Sequence, residues 1–369
     1  MTYCFAWKYQ DTVCLIADTL VTHVMPAPVD SPVTSLGEPH KQLGADEFVQ
    51  ERLLKIRELK GGIATAYAGD VGLALAITDF IEDNIHAVAN AADILPSVLI
   101  SMGPFDPDQY VQLLIVQSTT EGKCTITNWD TLGNCEDGAN SAYIGSLPPE
   151  MAYRMEDLFQ QLIANEAPSK DSMVLAGMAH VISMSTHEDI INQNVGGMVC
   201  GLRVQRGKTI WPDDVMVVQH KGDLSSFGGR ISVHAREGTV CINSTHLGSM
   251  GSILINKHKS ISIKELMQTW EEQWAPYLLG YLKGHFTTCT RWLFINLDRH
   301  ICLVFVVHGE LAQASDNLGI TPIGHGEYSF QVGGDLLKIL MRAPPANGGP
   351  DLRFVEVIDF AKPRPDGMP

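Results

Sequence analysis

The chain opens with the stretch TYCFAWKYQDTVCLIAD, residues 2–18. Residues 3–8 and 12–17 are rich in apolar and aromatic side chains, and the polar pair Gln10-Asp11 separates them, which predicts two short strands joined by a turn. The run from Val13 to Ala17 is continuously apolar, as in a strand that is covered on both faces. The stretch therefore predicts a buried pair of strands with a threonine at its start and an aspartate, Asp18, at its end.

The position of Thr2 suggests a nucleophile. Threonine is small enough for an initiator methionine to be removed, and the new first residue then carries both a hydroxyl and a free α-amine. The α-amine titrates at about pH 8, so it can accept the hydroxyl proton near neutral pH. This interpretation requires the removal of Met1, because a retained methionine blocks the amine. The alternative is an ordinary second residue.

Composition limits the classes of function. The chain has 369 residues, enough for two domains or one large one, and a net charge of −16 that opposes binding to nucleic acid. No apolar run is long enough to span a membrane, and no secretory signal is recognisable. The 8 cysteines are scattered without a C-x-x-C pair. We therefore expect a cytoplasmic protein with reduced thiols and without a metal or cofactor, binding neither nucleic acid nor a membrane.

Strands and helices alternate in the first part of the chain. A proline-rich stretch over residues 23–50 predicts a long loop. A strand over 63–68 leads into a helix after Gly69, strands follow, and two helices are predicted over 149–164 and 169–185. The order predicts an α+β domain in which helices cover antiparallel sheets.

A polar, glycine-rich stretch at residues 221–229 suggests a boundary, giving domains 1–222 and 223–369. In the second domain, hairpins are predicted over 230–244 and 292–308, with a helix over 263–282 that is kinked at Pro276. The role of this C-terminal extension is not predicted.

The order of these motifs resembles that of proteasome β subunits. Residues 2–22 are similar to their opening, in which a threonine, a two-stranded hairpin and an Ala-Asp-Ser-Arg-x-Thr segment follow one another. Residues 55–69 resemble their next block, a lysine and isoleucine followed by a strand and an Ala-Gly pair. Residues 143–146 resemble their Gly-Ser segment and 195–197 their Gly-Gly turn. The resemblance covers about residues 2–220 and is nearest to the bacterial Anbu-type branch.

This resemblance implies a fold and a set of roles. The fold is that of an N-terminal-nucleophile (Ntn) hydrolase, a four-layer αββα sandwich with two antiparallel sheets between helix layers. Thr2 is implied as the nucleophile, with Lys55 lowering the pKa of its hydroxyl and Asp18 fixing Lys55. The N–H of Gly69 is implied in the oxyanion hole and Ser146 among the groups around the amine. For Ser146 a helix-capping role is an equal alternative.

The sequence departs from the family pattern at three positions. Leu20 stands where the family has an arginine, and Asn192 and Val195 are nearest to its later aspartate and serine. The implied activity is that of a threonine-type peptidase in a homo-oligomeric ring or stack, acting on peptide or protein substrates with an unidentified unfoldase. Two other functions stay open: a catalytically silent scaffold or assembly subunit, and an amidase that acts on small molecules.

Overall fold

The chain folds into a mixed α and β protein with several mainly antiparallel sheets and few helices. A computed structural model describes residues 2–24, 33–38, 42–44, 46–85, 90–106, 108–147, 155–157, 159–160, 169–188, 190–212, 214–221, 226–236, 239–247, 252–255, 272, 274–283, 290–298, 301–308, 318–324, 327–332 and 351–358. Met1 therefore lies outside the described residues.

Thirteen strands precede the seven-stranded sheet described below. They are β1 (Tyr3–Tyr9), β2 (Thr12–Asp18), β3 (Leu20–His23), β4 (Gln42–Gly44), β5 (Glu47–Glu51), β6 (Ile56–Leu59), β7 (Ile63–Gly69), β8 (Val111–Ser118), β9 (Cys124–Asp130), β10 (Cys135–Asp137), β11 (Ser141–Gly145), β12 (Val199–Gln205) and β13 (Lys208–Ile210).

The other described strands and four α-helices follow along the chain. The strands are β14 (Asp214–Lys221), β15 (Ser226–Arg236), β16 (Thr239–Ser244), β17 (Ser252–Ile255), β18 (Arg291–Asn296), β19 (Ile301–His308), β20 (Leu318–Gly324), β21 (Glu327–Val332) and β22 (Asp351–Ile358). The helices are α1 (Val71–Asn84), α2 (Leu95–Met102), α3 (Lys170–Glu188) and α4 (Ala275–Lys283).

The opening stretch forms the centre of one five-stranded sheet, in the order β11-β1-β2-β12-β13. β1 and β2 pair antiparallel with Cys4 opposite Ala17, which confirms the predicted pair of strands. All of β2 is buried, as its apolar run predicted. The second five-stranded sheet has the order β10-β9-β8-β7-β6. Strands β1 and β2 contact β7 and β8, so the two sheets pack against each other.

Helices cover these sheets on their other faces. Helices α1 and α2 lie against the second sheet, where Ile77, Ile81 and Val98 pack with Leu113 in a core cluster. Helix α3 contacts β2 and β12 of the first sheet and, on its other side, β18, β19 and β22. Every residue from 172 to 185 of α3 is buried as a result.

A seven-stranded sheet, in the order β17-β16-β15-β14-β18-β19-β22, provides that outer covering of α3. β14 pairs antiparallel with β15 and parallel with β18, so the sheet crosses the boundary that was predicted at residue 222. The carboxylate of Asp171 also joins the two parts, since it pairs with Arg203 of the first sheet and Arg291 of β18.

Part of the predicted loop over residues 23–50 is wrong. Strands β3, β5 and β4 form a three-stranded sheet in that order. Every proline of the stretch lies at or before position 39, and residues 42–51 contain none, so nothing prevents that segment from pairing. The prolines near the start of the stretch predict a loop there, but this prediction does not apply to residues 42–51.

Two predicted helices fall partly outside the described residues. Most of 149–164 and of 263–274 is not described, and the described helix α4 begins beside Pro276, where a proline fits the first turn. Of the helices in the described ranges, none has the length and apolar character that crossing a membrane requires.

Candidate active site

Thr2 lies at the start of β1 with 4% of its surface exposed. The N–H of Ser146 donates to the Thr2 carbonyl oxygen at 2.7 Å. Gly145 beside it has φ +107, and a Cβ there would stand 1.7 Å from the same oxygen, so only glycine fits. The end of β11 therefore fixes the backbone of Thr2, and Ser146 does so with its main chain.

Asp18, at the end of β2, forms a buried ion pair with Lys55. The Lys55 Nζ to Asp18 Oδ1 distance is 2.8 Å, and the side chains are 2% and 0% exposed. The same Oδ1 accepts the N–H of Tyr3 at 2.9 Å, so the pair lies directly beside the residue that follows Thr2. Oδ2 accepts the N–H groups of Leu20 and Gly196, both at 3.3 Å. These donors satisfy a carboxylate whose burial would otherwise be costly.

Lys55 reaches this position from the segment before β6. Its neighbours Leu54 and Ile56 are buried with it, so the chain carries the lysine into the interior as part of a buried run. A lysine in such a place needs a counter-ion, which Asp18 supplies. The structure thus brings together Thr2, Asp18, Lys55 and Ser146, four of the five predicted residues, through contacts around Tyr3.

Cys4 lies in the same region, and the charges of the ion pair act on its thiol. Its thiol lies 3.6 Å from the Tyr67 carbonyl oxygen and feels the charges of both Lys55 and Asp18. Burial raises the pKa of the Cys4 thiol strongly, and the Lys55 ammonium opposes this rise only in part. The thiol therefore stays protonated at neutral pH, the form in which a cysteine is a poor nucleophile.

Gly69 ends β7 two residues beyond Tyr67, at the turn into α1. Its φ is +106, and a Cβ would come 2.0 Å from the Tyr110 carbonyl oxygen, so this turn also requires glycine. Asp70 caps α1 by accepting the N–H of Leu73 at 2.7 Å. Gln112 on the adjacent strand accepts the N–H of Gly145 at 3.2 Å, which links this edge to β11. The oxyanion role of Gly69 stays a prediction.

The carboxylates around the turn at residues 196–198 were not predicted from the sequence. The N–H of Gly197 donates to Glu38 Oε2 at 2.7 Å, and the N–H of Met198 donates to Glu51 Oε1 at 2.6 Å. Glu38 also accepts the hydroxyl of Ser185. Burial raises the pKa of Glu38 to about 7, although hydrogen bonds from Ser185 and Gly197 oppose the rise. Glu38 lies within the predicted loop over residues 23–50, and Glu51 directly follows that stretch at the end of β5.

Asn192 and Val195 lie just before this turn. Asn192 belongs to a short 3-10 helix over Ile190–Gln193, and Val195 is fully buried. Both positions therefore adjoin a turn whose N–H groups donate to Glu38 and Glu51, which lie in another part of the chain.

A second arrangement of polar side chains lies in the seven-stranded sheet. His234 Nδ1 is 2.8 Å from Asp214 Oδ1, and its Nε2 is 3.0 Å from Ser232 Oγ, the order of a serine nucleophile, base and acid. However, Ser232 is 1% exposed and Tyr277 stacks on His234 with ring centroids 4.5 Å apart. A substrate cannot reach this serine, and the group joins β14 to β15 as a buried polar network.

The described residues hold no group of three or more histidine, cysteine or acidic side chains that is placed to bind a metal ion. The cysteines in the same ranges are free thiols, most of them buried.

No protein-family model matches this chain. Among solved structures it is similar to eukaryotic HslV from Trypanosoma brucei, with 15% sequence identity and a TM-score of 0.38. The match covers 55% of this chain and 99% of that chain.

Proposed function

We propose that this chain is a threonine-type Ntn hydrolase that cleaves amide or peptide bonds after removal of Met1. The observation that carries the proposal is the buried Asp18–Lys55 pair, hydrogen-bonded to the N–H of Tyr3 beside Thr2. A buried ion pair is a poor source of stability, so its presence next to a candidate nucleophile favours a role in chemistry. The packing of α1 and α2 on one sheet and α3 on the other supports the four-layer fold.

The proposed reaction uses the hydroxyl and α-amine of Thr2, the ammonium of Lys55 and the N–H of Gly69. The α-amine of Thr2 accepts the hydroxyl proton, directly or through water, and the oxygen attacks the amide carbonyl carbon. The positive charge of Lys55 stabilises the developing alkoxide, and the N–H of Gly69 stabilises the oxyanion. The amine passes its proton to the departing nitrogen. Water then hydrolyses the ester on Thr2 and restores the hydroxyl.

Two measurements test the proposal in sequence. The intact mass of the untagged protein should be lower by one methionine, which makes Thr2 the N-terminus. A peptide epoxyketone, which bonds to both the hydroxyl and the α-amine of an N-terminal threonine, should then add its mass to the protein. Thr2→Ala should abolish this labelling, whereas Thr2→Ser, which keeps both groups, should retain part of it.

The same measurements separate the alternatives. A protein that retains Met1 cannot use the amine of Thr2, and the silent scaffold or assembly subunit would then replace the hydrolase. If the protein is labelled, a panel of peptides and small amides distinguishes a peptidase from a small-molecule amidase. Light scattering of the eluting protein tests the proposed homo-oligomer, since a monomeric mass would contradict a ring or stack.

A further inference from the structure

Three successive backbone N–H groups donate to three different carboxylates at the turn 196–198. Gly196 donates to Asp18 at 3.3 Å, Gly197 to Glu38 at 2.7 Å and Met198 to Glu51 at 2.6 Å. The first of these carboxylates holds Lys55. The orientation of the turn is therefore linked directly to the ion pair beside Thr2.

The turn and the two glutamates fit each other closely. A Cβ on Gly196 would stand 2.7 Å from Glu38 Oε2, and one on Gly197 would stand 2.9 Å from Thr19 Oγ1 and 3.1 Å from the Glu51 carboxyl carbon. Gly197 also has φ +66, which favours glycine. Any movement of either glutamate would thus leave a buried N–H without its acceptor or press on the turn.

Glu38 is presented by a short turn, Thr34–Glu38, which we call the clamp segment. The N–H of Thr34 donates to the Glu38 carbonyl oxygen at 2.8 Å, and the N–H of Gly37 donates to the Thr34 carbonyl oxygen at 3.0 Å. Ser35 donates to Glu51 from both its N–H, at 2.6 Å, and its hydroxyl, at 2.8 Å. The clamp segment therefore carries one glutamate and binds the other.

The opposite side of the clamp segment rests on the seven-stranded sheet. Ser244 donates its hydroxyl to the Ser35 carbonyl oxygen at 2.5 Å, and Gln219 donates its amide to the Leu36 carbonyl oxygen at 3.3 Å. The imidazole of His246 lies beside Gly37. Contacts thus run from the seven-stranded sheet through the clamp segment and the turn 196–198 to Asp18.

We propose that Glu38 is a positioning residue of the candidate hydrolase site, through which the clamp segment orients the turn 196–198 and so the Asp18–Lys55 pair. This inference rests on the proposed function and extends it to residues outside the predicted set. It gives the seven-stranded sheet a part in the same site, because that sheet holds the clamp segment in place.

Two substitutions of Glu38 separate positioning from simple packing. Glu38→Ala removes the acceptor of the Gly197 N–H, whereas Glu38→Gln keeps an acceptor oxygen of similar size and loses the charge. Glu47→Ala is the matched control, because Glu47 is an exposed acid on the neighbouring strand β5. Each protein is labelled with the peptide epoxyketone over a range of concentrations, which gives the maximal labelling rate and the half-saturating concentration separately.

The expected result is a loss of maximal rate with unchanged binding of the probe. Glu38→Ala should lower the maximal labelling rate by about tenfold or more, because small displacements of catalytic groups have effects of this size. Its half-saturating concentration should stay within about twofold, Glu38→Gln should recover most of the rate, and Glu47→Ala should match the unmodified protein. A folded Glu38→Ala protein that labels at the full rate overturns the inference.

The design also covers two other outcomes. If Glu38→Ala does not fold, Ser185→Ala replaces it, since this change removes one donor to Glu38 and leaves the carboxylate. An unchanged maximal rate in Ser185→Ala overturns the inference, and a reduced rate with unchanged half-saturation supports it. If the unmodified protein is not labelled at all, the proposed function fails and the inference fails with it. If the unmodified protein is labelled and the Glu38 variants are labelled at the same rate, only the inference fails.

Discussion

At the scale of single residues, the site depends on charges that are buried and paired. Lys55 and Asp18 lie almost entirely out of water, and backbone N–H groups occupy the remaining acceptor positions of the aspartate. Burying either charge without its partner costs more free energy than an exposed ion pair contributes to stability. Loss of one partner should therefore destabilise the fold more than replacement of both, whereas loss of Lys55 should abolish the reaction in either case.

Lys55→Ala should lower the free energy of unfolding by about 3 kcal/mol and abolish labelling of Thr2, because it leaves Asp18 buried without a cation. Replacing both partners, as Lys55→Met with Asp18→Asn, should recover part of the lost stability and none of the labelling, because the asparagine keeps only one of the two oxygens that accept backbone N–H groups. Urea unfolding and probe labelling of the two variants test this. Labelling of the double variant at the normal rate would remove Lys55 from the mechanism.

Glu38 should make stability depend on pH. Its pKa is raised from 4.5 to about 7, mainly because burial disfavours the charged form. The stability that comes from its neutral form is thus complete below about pH 4.5 and is lost as the pH rises through about 7, with a slope of about 1.4 kcal/mol per pH unit between these limits.

The measurement is the difference in unfolding free energy between the unmodified protein and Glu38→Gln over this pH range. The difference should fall with rising pH and become flat above about 7. A constant difference would mean that Glu38 has the same pKa in the folded and unfolded chain.

At the scale of elements, the strands that carry the site could be predicted and the connections between them could not. β1, β2 and β7 were predicted because apolar patterning is local. Glu38 lies 159 positions from Gly197 in sequence, and nothing in a local pattern links two such residues. The strands over 42–51 were not predicted because the prolines before them indicated a loop for the whole stretch.

Gly145→Ala tests how the end of β11 holds Thr2. The added Cβ would stand 1.7 Å from the Thr2 carbonyl oxygen, so the start of β1 must move and labelling should fall by about 100-fold. Gly138→Ala is the control, since Gly138 has φ +85 but no atom within 4 Å of an added Cβ. It should cost about 1 kcal/mol of backbone strain and leave labelling intact. Equal labelling of both variants would contradict the proposed fixing of Thr2.

At the scale of the whole molecule, the first five-stranded sheet and the seven-stranded sheet share one helix, α3. β14 pairs with strands that lie on the C-terminal side of residue 222, and α3 packs against both parts. The predicted boundary followed a polar, glycine-rich stretch, but part of that stretch, residues 226–229, lies within β15. Composition alone could not show that the strands on either side of it pair.

A fragment ending at residue 222 should therefore fail to fold on its own. It would lack both strand partners of β14 and would expose the side of α3 that faces β18 and β19. Far-UV circular dichroism and sedimentation of the fragment test this, with the full chain as the reference. Co-expression of residues 223–369 should restore solubility. A soluble fragment that unfolds cooperatively would show that the first part is an independent domain.

The position of α3 also bears on how this sequence can change over time. Helix α1 has exposed positions on one side, such as Ala76 and Asp83, where substitutions cost little. From residue 172 to 185, α3 has no such side, since one sheet lies on each of its faces. A substitution that suits one neighbour must also suit the other. The sequence of helix α3 should therefore change slowly on all sides of the helix. It should not show the variable position every three to four residues that is typical of a surface helix.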